Sequence, residues 1–195
     1  MILGFIGLSS CGKTTISRIL EGKEIPFNKK LLNELKEIGL FKKPITCTSR
    51  IPRKDEQEGI DYYFLSKNQF IKDIKDKKFV EYTQVYNNYY GLKYEEFNKY
   101  SEKDNLILIM EPNGIEALKK KTNKRIITFF LDISLNTLED RMNNKRNESI
   151  EEIENRKKDI EYIIDYKNKC DYIIDTNKSL DLVLNEIINI IKENK

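Results

Sequence analysis

Gly7-Leu8-Ser9-Ser10-Cys11-Gly12-Lys13-Thr14 fits the pattern G-x-x-x-x-G-K-[ST] and decides how the rest of the chain is read. Upstream, Ile2, Leu3, Phe5 and Ile6 form the apolar run of a buried strand. Downstream, Ile16, Ile19 and Leu20 recur at helical spacing. Strand, glycine loop and helix in that order make a phosphate loop. Gly7 and Gly12 allow dihedrals and a close approach that a β-carbon blocks, so backbone N–H groups can turn inward around a polyphosphate. The new helix adds its unpaired N-terminal donors and positive dipole end. Lys13 would then reach the β- and γ-phosphates of a bound nucleotide, and the Thr14 hydroxyl would ligate Mg²⁺. Ser9, Ser10, Cys11 and Thr15 complete the candidate phosphate-binding loop and first helical turn.

Composition bounds what surrounds this loop. At 195 residues the chain suits one α/β domain with an insertion and can bury a proper core. Its 35 basic and 32 acidic residues nearly cancel, so bulk charge predicts no nucleic-acid partner. Lys119-Lys120-Lys121 reads as solvated helix surface. No histidine is present, which excludes histidine bases, Ser–His and Cys–His nucleophile pairs and histidine metal sites together. Cys11, Cys47 and Cys170 are odd in number and far apart, which fits neither a zinc knuckle nor a disulfide framework. The chain has no 18-residue apolar run, and its apolar start leads straight into the phosphate loop. The expectation is a soluble cytoplasmic protein with no membrane partner.

Along the chain, Phe27, Leu31, Leu32, Leu35 and Ile38 predict a second helix, with Gly39 as its C-cap. From Pro44 to about Gly91 the chain turns rich in Tyr, Thr, Arg and Pro, with extended runs at Tyr62–Leu65 and Phe79–Tyr82. Ser66 opens a short helix through Phe70, Ile71 and Ile74, with Gln69 placed to complete a capping box. This stretch reads as a small strand-rich lobe. Leu106–Met110 and Ile126–Leu131 are continuous apolar runs, expected of strands covered on both faces. A helix starts near Pro112 between them, and Ser134 caps another through Leu135, Leu138 and Met142. Asn143 to Ser149 has no apolar periodicity and reads as a connection. A long helix to about Lys167, the strand Tyr172-Ile173-Ile174 and a helix carrying Leu180, Val183, Leu184, Ile187, Ile188 and Ile191 follow.

Three clusters in and beside the lobe carry chemistry. Arg50 and Arg53 flank Pro52, and each guanidinium can grip a phosphate bidentately. Tyr62, Tyr89 and Tyr90 offer phenol donors and flat faces. Glu81 and Glu111 are carboxylates at the ends of apolar runs. A carboxylate can accept from both N1–H and the 2-amino group of guanine, a donor pair that adenine lacks on that edge. Taken singly, the arginines also fit surface ion pairs, the tyrosines core aromatics and the glutamates strand-end charges.

Taken together, these motifs resemble guanylate kinase almost end to end. The resemblance rests on Gly7 to Thr14, Thr46-Cys47-Thr48-Ser49-Arg50-Ile51-Pro52-Arg53, Gly59-Ile60-Asp61-Tyr62-Tyr63-Phe64, Phe79-Val80-Glu81-Tyr82 and Asn88-Tyr89-Tyr90-Gly91. It implies a three-layer P-loop fold with a central parallel sheet. The core would span about 1–43 and 92–195, the inserted lobe about 44–91 and a lid about 141–156. It further implies that Arg50, Arg53, Tyr62 and Tyr90 hold the phosphate of GMP or dGMP, while Thr46, Glu81 and Glu111 read the guanine edge. Arg141, Arg156 and Lys145 would close over the transferring group, and Asp175, Thr176 and Asn177 would flank the adenine of ATP. Two positions depart from the family. Leu92 stands where relatives carry Ser or Thr against guanine, and Ile109 replaces the first acid of an acid-x-acid pair ending in Glu111.

The activity implied is transfer of the γ-phosphoryl group of ATP to GMP. A monophosphate oxygen is already nucleophilic near neutral pH, so a chain without histidine suits the reaction. Positioning and charge cancellation carry it. Two other readings stay open: a kinase of another nucleoside monophosphate, which Leu92 keeps open, and a non-catalytic binding module of the same fold. Oligomeric state is not legible.

Overall fold

The computed structural model describes residues 1–24, 28–53, 56–85, 87–100, 102–138 and 160–195. Phe27, Met142, the stretch from Asn143 to Ser149, and Arg141, Lys145 and Arg156 lie outside them, as does the whole of the expected lid. The chain forms two compact units, one of Ile2–Lys43, Asn105–Ile109 and Ile126–Lys195, the other of Met1, Pro44–Asp104 and Met110–Arg125.

The first unit is built on a four-stranded parallel sheet. Its strands are β1 (Ile2–Ile6), β6 (Leu106–Ile109), β7 (Ile126–Asp132) and β8 (Tyr172–Asp175), in the order β6-β1-β7-β8. Every residue of β1 is buried, as are the five central residues of β7, so the unbroken apolar runs mark strands covered on both faces. Helix α1 (Lys13–Leu20) follows β1. Helix α2 (Lys29–Ile38) is capped by Asn28, whose side chain accepts from Lys30 N–H, and ends at Gly39 with a positive φ of 74°. It packs against the final helix, Leu180–Glu193, where Lys192 lies 3.3 Å from Glu37 and 3.8 Å from Glu34. That helix buries Val183, Leu184, Ile187, Ile188 and Ile191. Leu180, at its first position, is exposed instead of joining the stripe. Residues 135–138 are helical, with the Ser134 hydroxyl accepting from Thr137 N–H at 3.2 Å.

The second unit carries a mixed sheet in the order β3-β2-β5-β4: β2 (Cys47–Thr48), β3 (Tyr63–Phe64), β4 (Phe79–Val85) and β5 (Asn88–Lys93). Helices α3 (Lys67–Lys75), α4 (Tyr94–Phe97) and α5 (Pro112–Lys119) belong to it, so it takes in residues well beyond Gly91. Cys47, Phe70 and Phe79 form its small core, with the Phe70 and Phe79 rings stacked at 4.4 Å. Ser66 caps α3 by accepting from Gln69 N–H at 3.2 Å, but the capping box is half-made. The Gln69 amide donates to Asp73 at 2.8 Å, because Asp73 is buried and demands donors. Lys93 and Lys78 also pair with Asp73, at 2.6 and 2.9 Å. Burial alone would raise its carboxyl, yet the hydrogen bonds from Lys93, Lys78 and Gln69 hold it at about 2.

Candidate nucleotide site

In the first unit, β1 lies between β6 and β7, so the chain leaves β1 for one side of the sheet and later crosses to the other. Open parallel sheets bind ligands at such a switch, beyond the carboxyl ends of the strands. The phosphate loop begins there. Gly7 has φ 149°, and a β-carbon on it would stand 2.7 Å from the Leu131 carbonyl oxygen, so only glycine fits. Ser10 and Gly12 also take positive φ, at 65° and 104°. Gly12 caps α1 without a side-chain acceptor, and the first turn of α1 holds no acid. The positive end of the helix is therefore not neutralised by its own sequence.

Lys13 folds back over the loop, its ammonium donating to the carbonyls of Gly7 (2.6 Å) and Leu8 (2.8 Å) and lying 3.6 Å from the Cys11 sulfur. Cys11 is buried, Ser10 half-buried, and Ser9, Thr14 and Thr15 are exposed. Among the described residues no group of three or more His, Cys, Asp or Glu could hold a metal ion.

At the same edge of the sheet, β7 and β8 end in register at Asp132 and Asp175. Thr176 donates from its N–H and hydroxyl to the Asp132 carbonyl, at 2.8 and 2.7 Å. Asn177 accepts from Ser134 N–H at 3.0 Å and donates its amide to Asp175 at 2.7 Å. Hydrogen bonds from the Asn177 backbone and side chain hold the Asp175 carboxyl below its ordinary value. These polar groups are engaged with one another and make a rigid corner at the strand ends.

The second unit gathers the arginines and tyrosines. Ser49 pins the segment before Arg50, its hydroxyl accepting from Tyr89 N–H at 2.8 Å, and buried Thr48 accepts from Arg50 N–H at 3.2 Å. The Arg50 guanidinium donates to Glu56 and to the Ile51 carbonyl, both at 2.8 Å, and lies 5.7 Å from the Tyr62 ring centre. Tyr62 meets Tyr90 edge-on at 6.3 Å. Tyr89 does not join them. Its ring stacks on Phe70 at 5.4 Å, which makes it a core aromatic. Burial lowers the pKa of Arg50, but Glu56 and Tyr90 more than reverse this. Arg50 Nε is buried with no acceptor among the described residues.

Glu81 is only 6% exposed despite its charge. A β-bulge sets both Phe79 and Val80 against Lys93, and pairing resumes with Glu81 opposite Leu92. The extra residue breaks the strict alternation of the strand at a point where Phe79, Val80 and Glu81 are all buried. Burial pushes the Glu81 carboxyl up to about 8. Leu92 N–H opposes the shift, and the nearby Glu111 charge adds to it. Glu81 and Glu111 are thus brought together, with Glu111 at the cap of α5. Gly114, in the first turn of α5, presses on the same carboxyl: a β-carbon there would stand 2.6 Å from Glu81 Oε2. Thr46 is half-buried beside β2, Leu92 is fully buried in β5, and Ile109 is half-buried at the end of β6.

Sequence reasoning passed over Glu56 and Gly114. Both left a signal. Glu56 is an acid three residues after Arg53, and Gly114 is a glycine inside a helix, where it costs roughly 0.5–1 kcal/mol relative to alanine unless space demands it.

A family model described as guanylate kinase matches residues 16–194. The match begins after the phosphate loop, so Gly7 to Thr14 stands as a separate observation. Among curated relatives, the guanylate kinase of Fusobacterium nucleatum is 33% identical over 153 residues, covering 78% of this chain and 75% of that one. That of Clostridioides difficile is 31% identical, covering 80% and 70%. The guanylate kinase of Rickettsia prowazekii is 37% identical over 111 residues, and the chain spans only 56% of its length. Among solved structures, guanylate kinase from Anaplasma phagocytophilum aligns with all of this chain and 85% of its own, with a TM-score of 0.69 at 21% identity. That likeness speaks for the fold. No described helix is long and apolar enough to cross a membrane.

Proposed function

Because the chain belongs to the guanylate kinase family, we propose that it transfers the γ-phosphoryl group of ATP to the α-phosphate of GMP, and of dGMP, giving the diphosphate and ADP. The observation that carries this reading is the meeting of Glu81 with Glu111 in the same unit as Arg50, Arg53, Tyr62 and Tyr90. Two carboxylates suit the paired donors of guanine, and two guanidinium groups suit a phosphate dianion. The orphaned Arg50 Nε supports the phosphate assignment, since a buried donor without an acceptor is a place where a ligand oxygen belongs.

On the ATP side, Lys13 would exchange the carbonyls of Gly7 and Leu8 for β- and γ-phosphate oxygens, and the loop and α1 N–H groups would hold the rest. Thr14 fits a Mg²⁺ that is held mainly by phosphates, an arrangement that needs only one or two protein oxygens. When bound, that ion draws charge from the phosphoryl oxygens. Asp175 and Asn177 are assigned to the adenine. Arg141, Lys145 and Arg156, outside the described residues, are assigned to the transferring group. The acceptor oxygen needs no base, so the protein's work is alignment, charge cancellation and exclusion of water. Near-balanced charge supports small-molecule partners over nucleic acid.

The test is ADP release with Mg-ATP against GMP, dGMP, AMP, CMP, UMP and dTMP. Turnover confined to GMP and dGMP is expected, with Glu81 and Glu111 sufficing although position 92 is leucine. Turnover on another monophosphate would move the base site. GMP binding without turnover would make the chain a binding module.

A further inference from the structure

Glu56 touches both arginines. Its Oε1 accepts from Arg50 Nη2 at 2.8 Å and lies 3.7 Å from Arg53 Nη1, while its Oε2 accepts from the Arg53 backbone N–H at 2.8 Å. Glu56 and Arg50 are largely covered, with side chains 15% and 16% exposed, whereas the Arg53 side chain is 56% exposed. Burial would raise the Glu56 carboxyl, but the hydrogen bonds from Arg50 and the Arg53 backbone outweigh it and leave the group below its ordinary value. Glu56 is therefore an anion at any pH where the protein works.

A lone surface acid paired with one arginine would contribute little. This carboxylate does more, because one group accepts from the Arg50 guanidinium and from the Arg53 backbone, and so ties two residues together. Left to themselves, two guanidinium groups three residues apart repel, and each samples many rotamers that a ligand must freeze. The carboxylate offsets that repulsion and holds the Arg50 guanidinium in place before any ligand arrives. It also uses only part of Arg50's fork, since a guanidinium has five N–H donors, Glu56 engages one of them and the buried Nε has no acceptor among the described residues.

We propose that Glu56 is a positioning residue for the acceptor's phosphate: its carboxylate holds the Arg50 guanidinium and the Arg53 backbone, so that both arginines and the buried Arg50 Nε are set around one phosphate group. The proposal rests on Arg50 and Arg53 being the phosphate ligands of the reading above. Glu56 does not touch the reacting atoms, so it sets the affinity for the acceptor's phosphate and leaves the ATP side unchanged.

The experiment is calorimetric titration of wild type, Glu56→Ala and Glu56→Gln with GMP and, separately, with guanosine, which lacks the phosphate. GMP kinetics are run in parallel. Glu56→Ala is expected to weaken GMP at least tenfold while guanosine affinity stays within twofold, and to raise KM for GMP with kcat and KM for ATP within threefold. Glu56→Gln keeps the size and an acceptor oxygen and should recover part of the loss. Unchanged GMP affinity in both variants overturns the proposal, and so does equal weakening of GMP and guanosine, which would make Glu56 merely structural. Tighter GMP binding also overturns it, by making Glu56 a rival anion. If wild type binds GMP but does not phosphorylate it, the kinase reading fails, while the GMP–guanosine contrast still decides the role of Glu56.

Discussion

With its carboxyl raised to about 8 by burial, Glu81 titrates close to the working pH, and only its ionised form can accept from both donors of guanine. The free protein should therefore bind GMP better as pH rises toward 8. KM for GMP should increase by up to about tenfold per unit below that value. The GMP phosphate ionises near pH 6, so the informative quantity is the difference between wild type and Glu81→Gln, whose profile should lose the step near 8. Equal profiles would remove Glu81 from the base site. Gly114 belongs to the same argument. A methyl group 2.6 Å from Glu81 Oε2 must displace the carboxyl or shift α5, a strain of about 1–3 kcal/mol. Gly114→Ala should raise KM for GMP about 10-fold or more, with KM for ATP unchanged and circular dichroism like wild type. A variant with normal GMP kinetics would show that Glu81 is not held there by contact. Glu81 could be picked out in the sequence as an acid ending an apolar run. Its burial could not, because that depends on a bulge beside Val80 and on a helix that starts some thirty residues later.

Elements differ in how much of their logic is local. The phosphate loop was legible because everything it needs lies within eight residues: glycines where φ is positive, a lysine long enough to fold over the loop, and no acid in the first turn of α1. The parallel strands were legible because burial on both faces leaves an unbroken apolar run. The capping box was misread because Gln69 answers to Asp73, a demand that appears only when α3 packs. Tyr89 was grouped with Tyr62 and Tyr90 because adjacent residues on a strand face opposite ways, and sequence alone does not say which face meets Phe70. The locality of the phosphate loop can be tested by pairing Lys13→Met with Gly7→Ala. Lys13→Met should lower kcat on the order of 10²-fold or more while leaving Tm within a few degrees, since the lysine's partners are loop carbonyls that water can serve. Gly7→Ala should lower both activity and Tm, because the added carbon meets the Leu131 carbonyl at 2.7 Å in a dihedral region that alanine resists. Near wild-type turnover in Lys13→Met would end the phosphate-loop assignment.

For the whole molecule, two buried acids of the second unit pull stability in opposite directions with pH. Asp73 is lowered from 3.8 to about 2. It adds roughly 2 kcal/mol that is complete above the unfolded value and drains away as pH falls toward 2. Glu81 is raised from 4.5 to about 8, so the folded chain keeps a proton that the unfolded chain has released. Stability therefore falls as pH rises across that interval, by roughly 4–5 kcal/mol at most, and the second effect is the larger. The chain should be most stable near pH 4.5 to 5 as far as these groups decide it. Its Tm should decline by about 10 °C or more toward pH 9, at about 2–4 °C per kcal/mol for a chain of this size. Calorimetry of three proteins separates the terms. Asp73→Asn should lose the acid limb below pH 4, and Glu81→Gln should flatten the decline between pH 5 and 9. A guanine-binding carboxylate is charged again when its ligand arrives, so saturating GMP should raise Tm more at pH 8.5 than at pH 6 in wild type, and by a smaller difference in Glu81→Gln, where only the ionisation of the GMP phosphate remains. A decline that survives unchanged in Glu81→Gln would mean that the burial of this acid is relieved in solution, and its role in reading guanine would lose its physical basis.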